Sequence, residues 1–172
     1  ICFLVYQELY WAPETERFQN PDRFVLMFAP SRRNYTEPYA LDDEGWSLPP
    51  FTLNRNKRLS DNREYAASLR DWRKIFSGES FIFDYHMTYT HYLDQGYFGF
   101  TRILSEDIRR IESLGFGGFV SCQVLRSFFP TGYPMYLHAR MLWDPSIDEE
   151  DTARYYFDSA YGTGGPVCLE YM

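Results

Sequence analysis

Four short apolar runs, at residues 2–6, 24–29, 81–83 and 119–122, restrict the fold of this chain more than any other feature. None of them alternates between apolar and polar residues. A strand with one wet face alternates, whereas a strand covered on both faces, as in a parallel sheet, reads as an unbroken apolar run. Helix signals lie between and after these runs. Asp61 and Glu64 form a capping box ahead of Tyr65, Leu69, Trp72 and Phe76, which share one helical face. Ser105 is expected to cap a helix with an acidic first turn, Glu106 and Asp107, a stripe of Ile108, Ile111 and Leu114, and a stop at Gly115. Pro134 opens a helix that runs to about Trp143, and Asp148 starts another that ends at Gly162.

The expected order is therefore β, β, α, β, α, β, α, α, an α/β fold with a mainly parallel sheet. One link breaks the pattern. Residues 13–22 are too short and too proline-rich for a helical crossover, so either that crossover is extended or the first strand pair is not parallel. A complete (β/α)8 barrel takes about 250 residues. Four strands in 172 residues fit half of one. Ile1 is not a start methionine and the first strand begins at once, so the expectation is one partial domain over residues 1–172, the C-terminal half of a (β/α)8 TIM-type barrel within a longer protein.

Composition narrows the partners. A formal net charge of −7 disfavours nucleic acid and anionic membrane surfaces, whose binders present a basic face. No apolar stretch is long enough to span a bilayer. Aromatic residues make up 20% of the chain, with 15 Tyr and 15 Phe, and a core of this size strands many of their polar tips. Some of these rings are expected to line a cleft. Cys2, Cys122 and Cys168 are odd in number and show no metal-type spacing; the first two sit in apolar runs and read as core thiols.

Each strand run ends in polar side chains, at the edge where barrels carry their active sites. The first ends at Tyr6, Gln7 and Glu8, with Trp11 close behind. The second leads into Arg32, Arg33 and Tyr35, the third into Asp84, Tyr85 and His86, and the fourth into Gln123. Carboxylate, guanidinium, amide and ring at one edge suit a sugar, whose C–H faces stack on aromatics while its hydroxyls take forked donors and acceptors. Past Asp84 the chain continues YHMTYTHYLDQGYFGF, and Tyr97 belongs to what reads as a sugar platform. Glycoside hydrolysis takes two carboxyl groups flanking the scissile bond; Glu8 and Asp84 are the strand-end candidates, with a rim-structural role as the alternative. Arg32 and Arg33 offer two-pronged binding to an anion such as a uronic acid; alternatively one pairs with an acidic neighbour and the other is solvated. The long polar stretch over residues 34–56 is of the kind that often carries function.

Metal and cofactor chemistry is weakly signalled. Asp84, His86 and His91 match no standard zinc spacing, and a hydrogen-bonding histidine is the commoner role. The glycines at 115, 117 and 118 join a helix to a strand, the wrong direction for a phosphate cradle. No cofactor and no metal are expected.

The motifs MFAPSRRNY, LRDWRKIF, FDYH, QGYFG and YLHARMLWDP, followed by an acidic helix and YG, resemble the large bacterial family called domain of unknown function 4838, over its second half. That family is usually placed beside glycoside hydrolases with (β/α)8 barrels, such as α-glucuronidases and β-hexosaminidases. The resemblance implies a carbohydrate-active protein exported to the periplasm or the extracellular space, with the rest of the barrel on the same chain. It implies site-lining roles for Arg32, Arg33, Tyr35, Asp84, Tyr85, His86 and Tyr97, and structural roles for Arg140, Trp143 and Asp144. The expected function is hydrolysis of a glycosidic bond in a poly- or oligosaccharide. The alternative is a non-catalytic carbohydrate-binding barrel.

Overall fold

The computed structural model of the chain describes residues 1–89, 99–123 and 131–172. Among the described residues the sheet has four strands, β1 (Cys2–Val5), β2 (Val25–Phe28), β3 (Ser80–Tyr85) and β4 (Phe119–Gln123), adjacent in chain order and all parallel. The registers are short and unbroken: Cys2 pairs with Val25, Leu26 with Ser80 and Ile82 with Phe119. Helices follow as α1 (Asn62–Arg73), a single turn α2 (His86–Tyr89), α3 (Thr101–Arg110), α4 (Tyr133–Trp143), α5 (Glu149–Tyr161) and α6 (Gly165–Tyr171). Parallel strands in sequential order, alternating along the chain with helices, are half the strand complement of a (β/α)8 barrel.

The chain divides into two compact units, residues 1–85 with 110–122, and residues 86–109 with 123–172. In the first unit the core lies between the sheet and α1. Val5, Leu26, Phe28 and Ile82 are almost fully buried, and Phe28, Ile82 and Phe116 face Tyr65 and Leu69 of α1. The packing leaves a void of only about 20 Å3 there. Coverage on both faces is not uniform, since Leu4 on β1 and Val120 on β4 remain exposed at the sheet's two outer strands. Cys2 is exposed as well, which corrects its reading as a core thiol: on an outer strand an apolar run need not be covered.

The β1–β2 crossover is extended, and the pair is parallel. It contains two 3-10 turns, Gln7–Tyr10 and Pro21–Arg23, and no α-helix. Phe18 supplies the cover a crossover helix ordinarily gives. Its ring centroid lies 5.0 Å from Phe3, 5.1 Å from Phe24 and 4.9 Å from Phe76. Burying rings of this size offsets the ordering of a segment that makes few backbone hydrogen bonds of its own.

Helix α1 begins where the capping box places it. The Asp61 carboxylate accepts from the Arg63 amide at 2.8 Å, and Glu64 Oε2 accepts from the amides of Ser60 and Asp61 at 3.0 and 3.2 Å. The polar stretch before it has no regular structure but is stitched down. Asn62 Nδ2 donates to the carbonyls of Asn34, Glu37 and Pro38 at 2.9–3.0 Å. Arg70 pairs with Asp43, and the Arg63 guanidinium lies 4.4 Å from the Trp46 ring centre.

In the second unit α3 starts at Thr101, five residues earlier than its acidic turn implies, and Ser105 is buried inside the helix instead of capping it. The reason is the apolar stripe, which already includes Ile103 and Leu104. The helix also ends at Arg110; Ile111 and Leu114 belong to a turn closed by the Phe116 amide donating to the Ile111 carbonyl, with Gly115 at φ +76°. The Asp148 side chain caps α5 by accepting from the Asp151 amide at 2.9 Å, and Gly162 at φ +55° ends that helix. Met87, Leu104, Tyr133, Leu137, Met141 and Phe157 are among the unit's fully buried apolar residues. Gly165 has no room for a side chain: a Cβ there would lie 2.8 Å from the Phe157 carbonyl oxygen.

Candidate functional site

The described residues at the strand ends fall into three groups, and all are engaged differently. The first is open. After β1 the chain turns sharply at Gln7, whose φ of +54° lies in the left-handed region that side chains other than glycine rarely adopt. The following 3-10 turn is held from α1: Ser68 Oγ donates to the Tyr10 carbonyl at 2.7 Å and Trp72 Nε1 to the Leu9 carbonyl at 2.8 Å. Tyr10 is anchored through its hydroxyl, which donates to the Ala29 carbonyl at 2.6 Å, and burial pushes that phenol's pKa up. With its neighbours fixed, Glu8 projects as an exposed carboxylate. Among the described residues it has no ion-pair partner.

Glu8 and Trp11 line two cavities at once. One, of about 710 Å3, also takes in Phe51, Pro49, Asp71 and Lys74. Here Trp11 donates from Nε1 to the Pro49 carbonyl at 2.6 Å and meets Phe51 edge to face at 6.1 Å. The other, of about 290 Å3, sits at the ends of β1 and β2 and adds Arg32, Asn56, Lys57 and Arg58. Sequence reading singled out Glu8, Trp11 and Arg32. It missed Phe51, Asn56, Lys57 and Arg58, which come from the long polar stretch and the residues just after it. The only available signal was that stretch's length.

The second group is closed. Asp84, at the end of β3, has no exposed surface. Its Oδ2 accepts from Arg33 Nε at 3.0 Å and from the Tyr39 hydroxyl; its Oδ1 accepts from the Tyr35 hydroxyl at 3.1 Å and from the Tyr85 amide at 2.5 Å. The Arg33 guanidinium carbon is 4.3 Å from the Tyr35 ring centre and 4.1 Å from that of Tyr39. Arg33 also donates to the Glu37 carbonyl at 3.2 Å, and Arg110 donates to the Tyr39 carbonyl at 2.6 Å. Burial first, and then the Asp84 charge, push the Tyr35 phenol well above its usual range. Of the two arginines, Arg33 is the one that pairs with a carboxylate, while Arg32 is exposed.

The third group belongs to the second unit. His86 Nε2 and Asp107 Oδ2 are 2.7 Å apart and both side chains are fully buried. The His86 ring stacks 6.2 Å from Phe100. Asp107 reads in sequence as a first-turn acid, yet it lies three residues from Leu104 and four from Ile111, on the apolar face. Gln123 is exposed, Tyr6 and Tyr85 are half-buried, and Tyr97 lies outside the described residues. Among the described residues, no group of three His, Cys, Asp or Glu side chains could hold a metal ion, and no helix is long and apolar enough to cross a membrane.

Comparison with curated proteins and with solved structures gives no match. Residues 3–172 match the family model described as Domain of unknown function (DUF4838). The fold is α/β with an all-parallel sheet, as the motif resemblance implied. The match covers nearly the whole chain, and the protein belongs to the DUF4838 family.

Proposed function

We propose that this chain is part of a carbohydrate-active barrel, with its sugar site in the pair of cavities that share Glu8 and Trp11. The observation carrying this reading is that sharing. One cavity offers ring faces from Trp11 and Phe51; the other offers guanidinium and amide donors. A carbohydrate presents apolar C–H faces and hydroxyl edges together, so two such surfaces meeting at a carboxylate suit an oligosaccharide. The reaction is hydrolysis of a glycosidic bond, with Glu8 as one carboxyl partner. Asp84 serves as a positioning group, because its carboxylate oxygens already accept four hydrogen bonds. The second carboxyl belongs to another strand of the barrel, and export outside the cytoplasm goes with this reading.

The closed state of Asp84 favours one further reading, a non-catalytic sugar-binding barrel, since it leaves Glu8 as the one exposed carboxylate among the two strand-end candidates. A screen of the full-length protein against neutral, N-acetylated and uronic oligosaccharides, with product analysis on every hit, separates the two. Turnover lost in Glu8→Gln with affinity retained supports the hydrolase. Binding without products supports the binding barrel, and no binding to any sugar removes both.

A further inference from the structure

We infer that the cavity at the ends of β1 and β2 takes a negatively charged substituent of a sugar, a carboxylate or a sulfate ester, on the guanidinium groups of Arg32 and Arg58. The inference rests on the carbohydrate reading above and names the ligand class within it. The chain has 24 Asp and Glu against 17 Lys and Arg, so carboxylate partners are plentiful. On α1, Arg63, Arg70 and Arg73 all find partners within the fold. The cavity wall differs. It carries Arg32, Lys57 and Arg58 against the single carboxylate of Glu8. Lys57 is neutralised by Glu64 at 2.5 Å, whereas neither Arg32 nor Arg58 has an ion-pair or side-chain hydrogen-bond partner among the described residues. A locally basic cavity has been left unpaired in an acidic protein.

A second observation points the same way. Asn56 lies on the same wall, and its Oδ1 accepts from the Thr52 amide at 2.6 Å, which fixes the amide plane. Its Nδ2 is buried and has no acceptor. Buried donors are nearly always satisfied, so an orphan on the wall that carries two unpaired guanidinium groups is a donor that a ligand oxygen would satisfy. Guanidinium binds a carboxylate or a sulfate through parallel N–H donors, and Asn56 adds a further one. Arg33, the adjacent arginine in the sequence, cannot serve here because Asp84 holds it. A volume of about 290 Å3 admits one sugar unit with its substituent.

Calorimetric titration of the full-length protein with glucose, glucuronic acid and glucose 6-sulfate tests this. The expected result is binding of one or both charged sugars at least about 10-fold tighter than glucose, with the advantage reduced about 10-fold in Arg58→Gln or Arg32→Gln and weakened by salt. Arg55→Gln, at an exposed arginine that does not line this cavity, should leave the advantage intact. The carboxylate and sulfate arms identify the group. Equal affinity for charged and neutral sugars overturns the inference while the carbohydrate reading stands. So does an equal loss of both in Arg58→Gln, which would make that residue a support for the cavity's shape. Failure of all three sugars, and of the wider oligosaccharide screen, removes the carbohydrate reading and this inference with it.

Discussion

Arg33 reaches Asp84 from between two tyrosine rings, with its guanidinium carbon 4.3 Å from the centre of Tyr35 and 4.1 Å from that of Tyr39. Both tyrosines donate to the same carboxylate, so ring stacking and hydrogen bonding close one cluster from 51 residues apart in the chain. Such a pair is worth less than its geometry suggests, because both ions lose their water; removing one partner is the costly change. Asp84→Ala is expected to destabilise the protein by about 3–5 kcal/mol, measured by urea denaturation. Replacing both members by apolar residues of similar volume should cost much less. A single-variant loss below about 1 kcal/mol would mean that water enters the cluster in solution.

Trp11 is expected to act on affinity and Glu8 on turnover. Trp11→Ala should weaken oligosaccharide binding roughly 5- to 30-fold, the effect of about 1–2 kcal/mol of lost ring contact. Glu8→Gln should lower kcat by roughly 100- to 10,000-fold if Glu8 is a general acid or base, with affinity little changed. Steady-state kinetics on the first oligosaccharide that the screen identifies reads both. An unchanged kcat in Glu8→Gln moves the protein to the binding-barrel reading.

The backbone at Gln7 stores strain next to the site. A residue other than glycine in the left-handed region costs about 1–3 kcal/mol and persists only where its surroundings demand it. Gln7→Gly should therefore be neutral or stabilising by up to about 1 kcal/mol, while Gln7→Ile, β-branched at φ +54°, should destabilise. Thermal melts should place Gln7→Gly at or above the parent protein and Gln7→Ile below it. Equal loss in both would assign the residue's value to its side chain.

Acid should loosen α1 at its first turn. Burial raises the Glu64 pKa, but Lys57 and the amides of Ser60 and Asp61 outweigh it and hold the carboxyl below its ordinary 4.5. Asp61 is held low mainly by its hydrogen bond to Arg63. A carboxylate with a depressed folded pKa binds more protons when unfolded. Its contribution is complete above the unfolded value and is lost as the pH falls below about 4.5 through the folded one. Stability measured between pH 7 and pH 3 should fall in that lower window, and Glu64→Gln should flatten the fall. Identical pH slopes for the two proteins would show that the capping box does not titrate in this range.

The buried His86–Asp107 contact predicts its own cost. A hydrogen bond involving a charged group contributes about 1.5–3 kcal/mol, so Asp107→Ala should lower stability by that much and Asp107→Asn by less. Chemical denaturation of both variants checks the order. Were the alanine variant no weaker than the asparagine one, the 2.7 Å contact would carry no net stability.

What the sequence determined by itself is local. The capping box of Asp61 and Glu64, the Asp148 cap, the Gly162 stop and the four strand runs all rest on bonds and periods that span a few residues, and each lies where its pattern places it. Local rules failed where burial extended an element. Ser105 reads as a cap and lies inside α3, because Ile103 and Leu104 carry the apolar stripe past it. Cys2 sits in an apolar run and is exposed, because β1 pairs only with β2 among the described strands. The site divided along the same line. Carboxylates and guanidiniums at strand ends were legible, since a parallel sheet brings such ends to one edge. Which of them stay open was not. Asp84 is closed by Arg33, Tyr35 and Tyr39, all from the β2–α1 connection, while that same connection carries Asn56, Lys57 and Arg58 to the cavity that Glu8 lines. An irregular segment of that length has no period to read. Its course is decided by long-range bonds from Asn62, Arg70 and Trp11, and those exist only once the sheet and α1 have packed.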